Sequence, residues 1–91
     1  MANLKQKVFK IVRKIPKGKV LSYKQVAEKL GNPKLARLVG RILSTNTNPF
    51  EIPCHRVICS NGQVGGYRWG VKKKILLLKK EGLIIKRKKV I

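Results

Sequence analysis

The sequence predicts one mainly α-helical domain with a short β-hairpin, arranged like a winged helix-turn-helix. Its length of 91 residues suits a single domain. Apolar residues recur at helical spacing in several segments, and Asn61-Gly62 is typical of a tight hairpin turn. Since 43% of the residues are hydrophobic and only 5% are aromatic, we expect a small core of isoleucine, leucine and valine.

A first amphipathic helix is predicted over residues 3–15. Asn3 can cap its start, and Pro16-Lys17-Gly18 can end it. Its outer face is rich in lysine. The positions expected to be buried are Leu4, Val8, Ile11, Val12 and Ile15.

A helix-turn-helix is predicted over about residues 22–44. Ser22 and Gln25 have the spacing of a capping box, so a short second helix is expected there, ending at Gly31. Asn32-Pro33 then fits the N-cap and first position of a third helix that runs to about Ser44. The inward positions are Val26, Ala27 and Leu30 in the second helix, and Leu35, Leu38, Val39 and Ile42 in the third.

Three basic residues of the predicted third helix, Lys34, Arg37 and Arg41, lie three and four positions apart. They therefore share its exposed face. A basic stripe on the second helix of a helix-turn-helix is typical of a recognition helix that contacts DNA.

The second half of the chain predicts a hairpin. After a loop at residues 45–49 and a short non-periodic segment, Asn61-Gly62 is expected to join Val57-Ile58 to Gln63-Val64 as an antiparallel pair. A glycine-punctuated loop follows at residues 65–70.

A last helix is predicted from Val71 to Glu81, with Val71, Ile75 and Leu78 on one face and Gly82 as its end. The remaining residues, 83–91, contain Lys86-Arg87-Lys88-Lys89. We expect them to form a solvated basic tail.

The charge predicts a polyanionic partner. There are 23 Lys and Arg residues against three acids, which gives a formal net charge of +20. Such a chain attracts nucleic acid first and an anionic membrane surface second. No apolar run approaches the roughly 20 residues that span a bilayer, and the N-terminus lacks a signal core. We therefore expect a cytoplasmic monomer, nuclear in a eukaryote, with duplex DNA rather than a membrane as its partner.

The two cysteines, Cys54 and Cys59, are not expected to form a disulfide in a reducing compartment. With His55 as the only histidine, they are too few for a structural zinc site, which needs about four ligands. Cys54 directly precedes His55, and an imidazole close to a thiol favours the reactive thiolate. Neighbours in sequence need not touch, however, and taken alone these residues favour an ordinary buried cysteine.

Six ordered segments of the sequence argue against the interpretation of Cys54 as an ordinary buried cysteine. They resemble the O6-alkylguanine-DNA alkyltransferases, from about Val8 to Gly82, in order and in spacing. The segments are 18–23 (GKVLSY), 31–40 (GNPKLARLVG), Asn46 with Pro49, 52–57 (IPCHRV), 64–70 (VGGYRWG) and Glu81-Gly82.

The resemblance implies a chemistry for three residues. Cys54 would attack the alkyl carbon directly, and because the thioether product is stable, each molecule would act once. His55 would take the thiol proton through a water, and Glu81 would orient His55 and stabilise its imidazolium. No cofactor is implied.

The resemblance also implies how the base is reached. The target guanine lies inside a stacked duplex and must be flipped out. Arg37 would fill the gap, and Tyr23 would press on the target phosphate and donate to the guanine ring. The carbonyls of Cys54 and Val57 would accept from the guanine amine, Tyr67 would line the pocket, and Asn46 would tie turns together through its amide. Lys34, Arg37 and Arg41 would contact the DNA backbone.

The expected organisation is one domain, 1–91, with the helix-turn-helix at about 22–44, an active-site segment at 52–70 and the basic tail at 83–91. Family members usually carry a further N-terminal domain, whereas this sequence starts close to the first helix of the C-terminal one. Alkyltransferase-like relatives have tryptophan in place of the nucleophile, so Cys54 argues for transfer.

Two other functions remain open. The alternative is a non-catalytic helix-turn-helix protein that binds DNA or senses alkyl damage. It is disfavoured because such a protein has no use for Cys54-His55 or the Tyr67 loop. An RNA-associated protein is weaker still, because the aromatic stacking surfaces typical of RNA binders are scarce.

Overall fold

The computed structural model describes residues 3–91 as four α-helices with two small two-stranded sheets. This confirms the predicted fold class. The helices are α1 (Leu4–Arg13), α2 (Tyr23–Lys29), α3 (Ala36–Leu43) and α4 (Val71–Lys80). The strands are β1 (Leu21–Ser22), β2 (Val57–Ile58), β3 (Ile85–Lys86) and β4 (Lys89–Val90), and short 3-10 turns occupy Pro33–Leu35 and Cys54–Arg56.

Helix α1 begins at the predicted cap. The Asn3 side chain accepts a hydrogen bond from the Gln6 amide at 2.8 Å, which satisfies one of the free donors of the first turn. The helix ends at Arg13, two residues earlier than expected, but Ile15 remains buried. Val8 and Val12 are fully buried and fix which face of α1 meets the core.

The helix-turn-helix starts from the predicted capping box. Ser22 Oγ accepts from the Gln25 amide at 3.0 Å, and Gln25 Oε1 accepts from the Ser22 amide at 2.8 Å. Helix α3 departs from prediction, because its first turn is a 3-10 turn and the α-helix begins only at Ala36. The Leu35 amide donates to the Asn32 carbonyl at 3.1 Å, the bond of a 3-10 turn, and the Asn32 side chain caps this turn by accepting from the Lys34 amide at 3.0 Å.

The main core lies where α1, α2 and α3 meet. Val39 and Leu43 of α3 are buried, whereas the predicted positions Leu35, Leu38 and Ile42 are only half-buried. The fully buried side chains of this core are five valines and one alanine, whereas a mixture of isoleucine, leucine and valine was expected. They are Val8, Val12, Val26, Ala27, Val39 and Val57.

The predicted hairpin between Val57-Ile58 and Gln63-Val64 is wrong. Strand β2 pairs in parallel with β1, with Leu21 opposite Val57 and Ser22 opposite Ile58. Asn61-Gly62 does form a turn, since the Gly62 amide donates to the Cys59 carbonyl at 3.0 Å. The Cys59 amide also donates to the Gln63 carbonyl at 2.8 Å, but beyond that point the chain pairs with the C-terminal residues instead, where the Val64 amide donates to the Lys88 carbonyl at 2.8 Å.

The predicted solvated tail is also wrong. Strands β3 and β4 form the hairpin of this fold, with Ile85 opposite Val90. Its two-residue turn places Arg87 and Lys88 at φ of 53° and 62°, the conformation of a type I′ turn. The basic side chains of the tail are exposed, while Ile85 and Val90 pack on a second cluster of Ile58, Val64 and Leu78.

Helix α4 covers the predicted segment, with Leu78 buried and Val71 and Ile75 half-buried. Unexpectedly, Lys74 is completely buried on the same face. Among residues 3–91, no helix is long and apolar enough to cross a membrane.

Candidate functional site

Cys54 lies at the start of the 3-10 turn that leads into β2, and it is only 5% exposed. The buried amide of Asn46 holds this segment in place. Asn46 Nδ2 donates to the Ile52 carbonyl at 2.9 Å and reaches Cys54 Sγ at 3.4 Å. Asn46 therefore ties the loop after α3 to the residue that carries the thiol.

A pocket of about 270 Å³ opens at Cys54. One wall comes from α3, a second from the start of α2 and a third from the loop before α4. Its lining residues are Tyr23, Gly40, Leu43, Ser44, Cys54, Gly66, Tyr67 and Arg68. The pocket brings together three of the predicted site residues, Cys54, Tyr23 and Tyr67.

His55 and Glu81 meet although they lie far apart in sequence. His55 Nε2 is 3.0 Å from Glu81 Oε2, and both side chains are nearly buried. Arg56 holds the same carboxylate with two hydrogen bonds, Nε to Oε1 at 3.0 Å and an η-nitrogen to Oε2 at 2.7 Å. The other η-nitrogen of Arg56 donates to the Ile15 carbonyl at 2.8 Å. This bond ties the Arg56–Glu81 pair to the segment just after α1.

Burial and these contacts set the protonation states. Burial would raise the pKa of Glu81, but hydrogen bonds from Arg56 and His55 outweigh it and lower the pKa. Burial lowers the pKa of His55, and the Glu81 carboxylate offsets this only in part. Burial raises the pKa of Cys54 against the opposing effects of the Asn46 hydrogen bond and the charges of Lys74 and Arg68. The resting site thus holds an ionised carboxylate, a neutral imidazole and a protonated thiol.

Two buried polar atoms in this region have no hydrogen-bond partner among residues 3–91: His55 Nδ1 and the Tyr67 hydroxyl. Because Glu81 can only accept, His55 Nε2 carries the proton and Nδ1 is left as a free acceptor. His55 lines a hollow of about 450 Å³ beside the thiol pocket, and Tyr67 lines both spaces. The His55 imidazole is therefore next to the thiol pocket but does not form its wall.

Tyr23 lies where the thiol pocket meets the outer surface of α3. It lines the pocket of Cys54 and also a shallow hollow shared with Arg37 and Cys59. Burial raises its pKa to about 12, so its hydroxyl is a hydrogen-bond donor at neutral pH. Gly65, at φ +74°, is closely packed beside Cys59 and Tyr23, and a Cβ there would come within 3.0 Å of Cys59 Sγ.

Tyr67 is positioned by aromatic neighbours. Its ring meets His55 edge-on at 6.4 Å between centroids and Trp69 at 5.2 Å. Burial raises the pKa of Tyr67 to about 12, so it too stays protonated.

Lys74 is the functional candidate that the sequence analysis missed. Its Nζ donates to the Val57 carbonyl at 2.7 Å and to the Gly66 carbonyl at 3.1 Å, and it lies 5.7 Å from the centre of the Tyr23 ring. Burial lowers its pKa to about 8. Its position, three after Val71 and four before Leu78, was the available signal, since it places Lys74 on the apolar face of α4.

Val57 is fully buried, and its carbonyl is the acceptor held by Lys74. Arg37 and Arg41 are exposed on α3, and Lys34 is exposed in the 3-10 turn before it, as their spacing predicted. Only Arg37 of these three borders a hollow that leads toward Tyr23.

The fold and the site define a class: a small helix-turn-helix domain that carries a buried cysteine at the wall of a pocket, with a histidine–carboxylate pair next to it. Residues 3–83 match the model of the 6-O-methylguanine DNA methyltransferase, DNA binding domain. The chain belongs to this family.

Relatives and solved structures agree with that assignment. The chain is 55% identical over 78 residues to a methylated-DNA--protein-cysteine methyltransferase of Saccharolobus islandicus, covering 86% of this chain and 50% of the relative. It superposes on Mycobacterium tuberculosis OGT in complex with DNA with a TM-score of 0.84 and 37% identity, covering 89% of this chain and 49% of that one.

A third similar protein is S. pombe Atl1 in complex with damaged DNA containing O6-carboxymethylguanine. It gives a TM-score of 0.81 and 32% identity, and the match covers 90% of this chain and 78% of Atl1. In contrast, the chain spans half or less of the length of the curated methyltransferases it matches.

Proposed function

We propose that this protein binds duplex DNA, flips out an O6-alkylated guanine and transfers the alkyl group irreversibly to Cys54. The observation that carries the proposal is the placement of the Cys54 thiol at the wall of a pocket, beside a neutral imidazole whose other nitrogen is held by Glu81. A family of DNA methyltransferases supplies the chemical context. We further propose that residues 1–91 act as one unit, with the helix-turn-helix at 22–44 and the active-site segment at 52–70.

DNA binding rests on α3. Its outward face presents Arg37 and Arg41 to solvent, and the 3-10 turn before it adds Lys34. Contacts of such residues to phosphates fix a protein on the duplex without reading sequence. The net charge of +20 adds a long-range attraction that counterion release strengthens at low salt. The M. tuberculosis and S. pombe proteins of the same fold were both crystallised with DNA.

Base flipping follows from the position of Cys54. A thiol that is 5% exposed within a pocket cannot reach a base inside the stack, so the nucleotide has to enter the pocket. Arg37, which lines the shallow hollow outside the pocket, would occupy the gap that the flipped base leaves in the duplex. Tyr23, which lines both that hollow and the pocket, would press on the target phosphate.

The transfer is a direct displacement at the alkyl carbon. His55 Nδ1, through one water, takes the thiol proton as Sγ attacks, a new S–C bond forms, and the bond from carbon to guanine O6 breaks. The Tyr23 hydroxyl donates to the guanine ring as negative charge develops there. Glu81 stabilises the resulting imidazolium. The thioether has no leaving group, so the protein reacts once.

We also propose how guanine is recognised, by groups in and next to the pocket. The carbonyls of Cys54 and Val57 accept from its amine, and Tyr67 lies against the base. Although Lys74 already donates to the Val57 carbonyl, that oxygen has a second lone pair. Lys74 thus fixes the direction in which this acceptor points.

A damage-sensing protein is the second candidate, because S. pombe Atl1, which was crystallised with damaged DNA containing O6-carboxymethylguanine, has the same fold. Uptake of label distinguishes the two. Duplex DNA with a radiolabelled O6-methyl group should lose its label to the protein and not to a Cys54→Ser variant that binds the same DNA. If both proteins bind and neither takes up label, the sensing function is correct.

A further inference from the structure

Helix α1 carries a basic stripe that the proposed function does not use. Lys7, Lys10 and Lys14 are exposed, and their spacing of three and four places them along one side of the helix. Val8 and Val12, which are fully buried, mark the opposite side. The stripe therefore points away from the core.

No acid within α1 offsets this charge. The acid next to the helix, Glu51, is paired with Arg13 at 3.0 Å. Glu81 is held by Arg56 and His55 in the site. The stripe is therefore a concentrated patch of positive charge.

The stripe and the basic face at α3 are turned away from each other. Helices α1 and α3 pack together in one core, through Val8 and Val12 of α1 and Val39 and Leu43 of α3. The exposed side of each helix lies opposite those buried residues, so a duplex seated on Lys34, Arg37 and Arg41 does not have to cover the α1 stripe.

The dimensions suit a DNA backbone. At 1.5 Å rise per residue, the stripe from Lys7 to Lys14 is about 10.5 Å long. Duplex DNA carries one charge per roughly 1.7 Å of axis, so this length meets about six phosphate charges, of which about half face the helix. Three ammonium groups match that number. Val8 and Val12 are buried, and Phe9 and Ile11 pack partly against the core, so the exposed face lacks the broad apolar surface that a membrane-bound helix needs.

We propose that the Lys7, Lys10 and Lys14 face of α1 is a second binding surface for duplex DNA, so that one molecule holds two duplex segments at once. The inference rests on the proposed function in one respect, because α3 is taken to hold the first duplex. Its consequence is direct transfer: the protein can move to a second segment before it leaves the first, without sequence preference.

The test is the stoichiometry of complexes with a short duplex in excess, measured by analytical ultracentrifugation at low salt. The wild type is expected to bind two duplexes per protein. K7Q/K10Q/K14Q should bind one, and the salt slope summed over both sites should fall by about 2.7, the value for three phosphate contacts. K72Q/K79Q/K80Q loses the same charge from exposed positions on α4 and should still bind two.

Other outcomes would overturn the inference. Equal loss of the second duplex in both variants would mean that net charge alone is responsible. Complexes of two proteins with two duplexes would mean that a protein–protein contact joins them, and a second site specific for duplex RNA would mean a different partner. If the wild type binds one duplex, only this inference is contradicted. If it binds none, the proposed function is contradicted. Retained alkyl transfer by K7Q/K10Q/K14Q shows that this variant is folded.

Discussion

His55 Nε2 and Glu81 Oε2 lie 3.0 Å apart, although 26 residues separate them in sequence. The contact fixes the tautomer of the imidazole, because an ionised carboxylate accepts but cannot donate. His55 Nδ1 is consequently the nitrogen that can take a proton. Two of the three acids in the chain are exposed, and the third is held here by two partners.

Glu81→Gln should slow alkyl transfer. The amide keeps the shape of the side chain but no longer stabilises an imidazolium, and positioned acid–base groups contribute roughly 10²–10⁴-fold to rate. We expect the single-turnover rate with O6-methylguanine duplex to fall by at least about tenfold. DNA affinity should be nearly unchanged. A variant that is folded by circular dichroism and reacts at the wild-type rate would show that Glu81 has no part in the chemistry.

The transfer rate should be insensitive to pH through neutrality. His55 must be neutral to act as a base, and burial lowers its pKa below the ordinary value of about 6.5. The rate should therefore fall only as the pH drops through that lowered pKa. It should rise again in alkaline solution, where the Cys54 thiol, whose pKa burial raises, begins to ionise by itself. A single-turnover pH profile whose acid limb is centred above 6.5 would contradict this assignment.

Lys74→Met should loosen the site and change the pH dependence of stability. The Val57 and Gly66 carbonyls lose their donor, and leaving the buried Val57 carbonyl unsatisfied costs about 1–3 kcal/mol. We expect lower stability at pH 7 and slower transfer, because the loop that carries Tyr67 is no longer tied down.

The pH dependence has a definite sign. Since burial lowers the Lys74 pKa from 10.5 to about 8, the unfolded chain binds more protons than the folded one between those values. This lysine therefore makes stability rise with pH in that window. In denaturant unfolding, the free energy of unfolding of the wild type should increase relative to that of Lys74→Met from pH 7 to pH 10. A constant difference would mean that Lys74 keeps an ordinary pKa.

Arg37→Ala should separate base flipping from chemistry. Without the side chain that fills the gap, the flipped state loses population, since unstacking costs on the order of a few kcal/mol. The single-turnover rate at saturating protein should fall for duplex substrate and stay near wild type for free O6-benzylguanine, which needs no flipping. Arg41→Ala, an exposed arginine on the same helix, is the matched control and should weaken binding only.

Two results would contradict the role of Arg37. Equal slowing with duplex and free base would mean that Arg37 supports the fold or the Cys54 pocket. An unchanged duplex rate at saturation would leave it as an ordinary backbone contact.

Local interactions made the helices predictable. The caps at Asn3 and Ser22 depend on groups two or three residues away, so the sequence shows them directly. The pairing of β1 with β2 joins residues 36 positions apart, Leu21 with Val57, and no local pattern reports it. Asn61-Gly62 marked a real turn, but a turn does not determine which strand pairs beyond it.

The C-terminal hairpin was hidden by its composition. Arg87 and Lys88 adopt positive φ without the asparagine or glycine that usually signals such a turn. Lys74 was missed for a related reason: its spacing was that of a buried residue, but lysine is almost never fully buried unless it is paired. For the site, spacing alone could not join His55 to Glu81. The family resemblance predicted that Glu81 orients His55, and the structure contains the contact between them.

The most direct test of the central claim is the mass of the protein after it is mixed with duplex DNA that contains one O6-methylguanine. Intact and peptide mass spectrometry should show the gain of one methylene, on the peptide that contains Cys54, with at most one equivalent per molecule. Cys54→Ser should show no gain, and Cys59→Ser should behave as the wild type. A methylene on Cys59, or unmodified protein bound to intact O6-methylguanine DNA, would contradict transfer to Cys54.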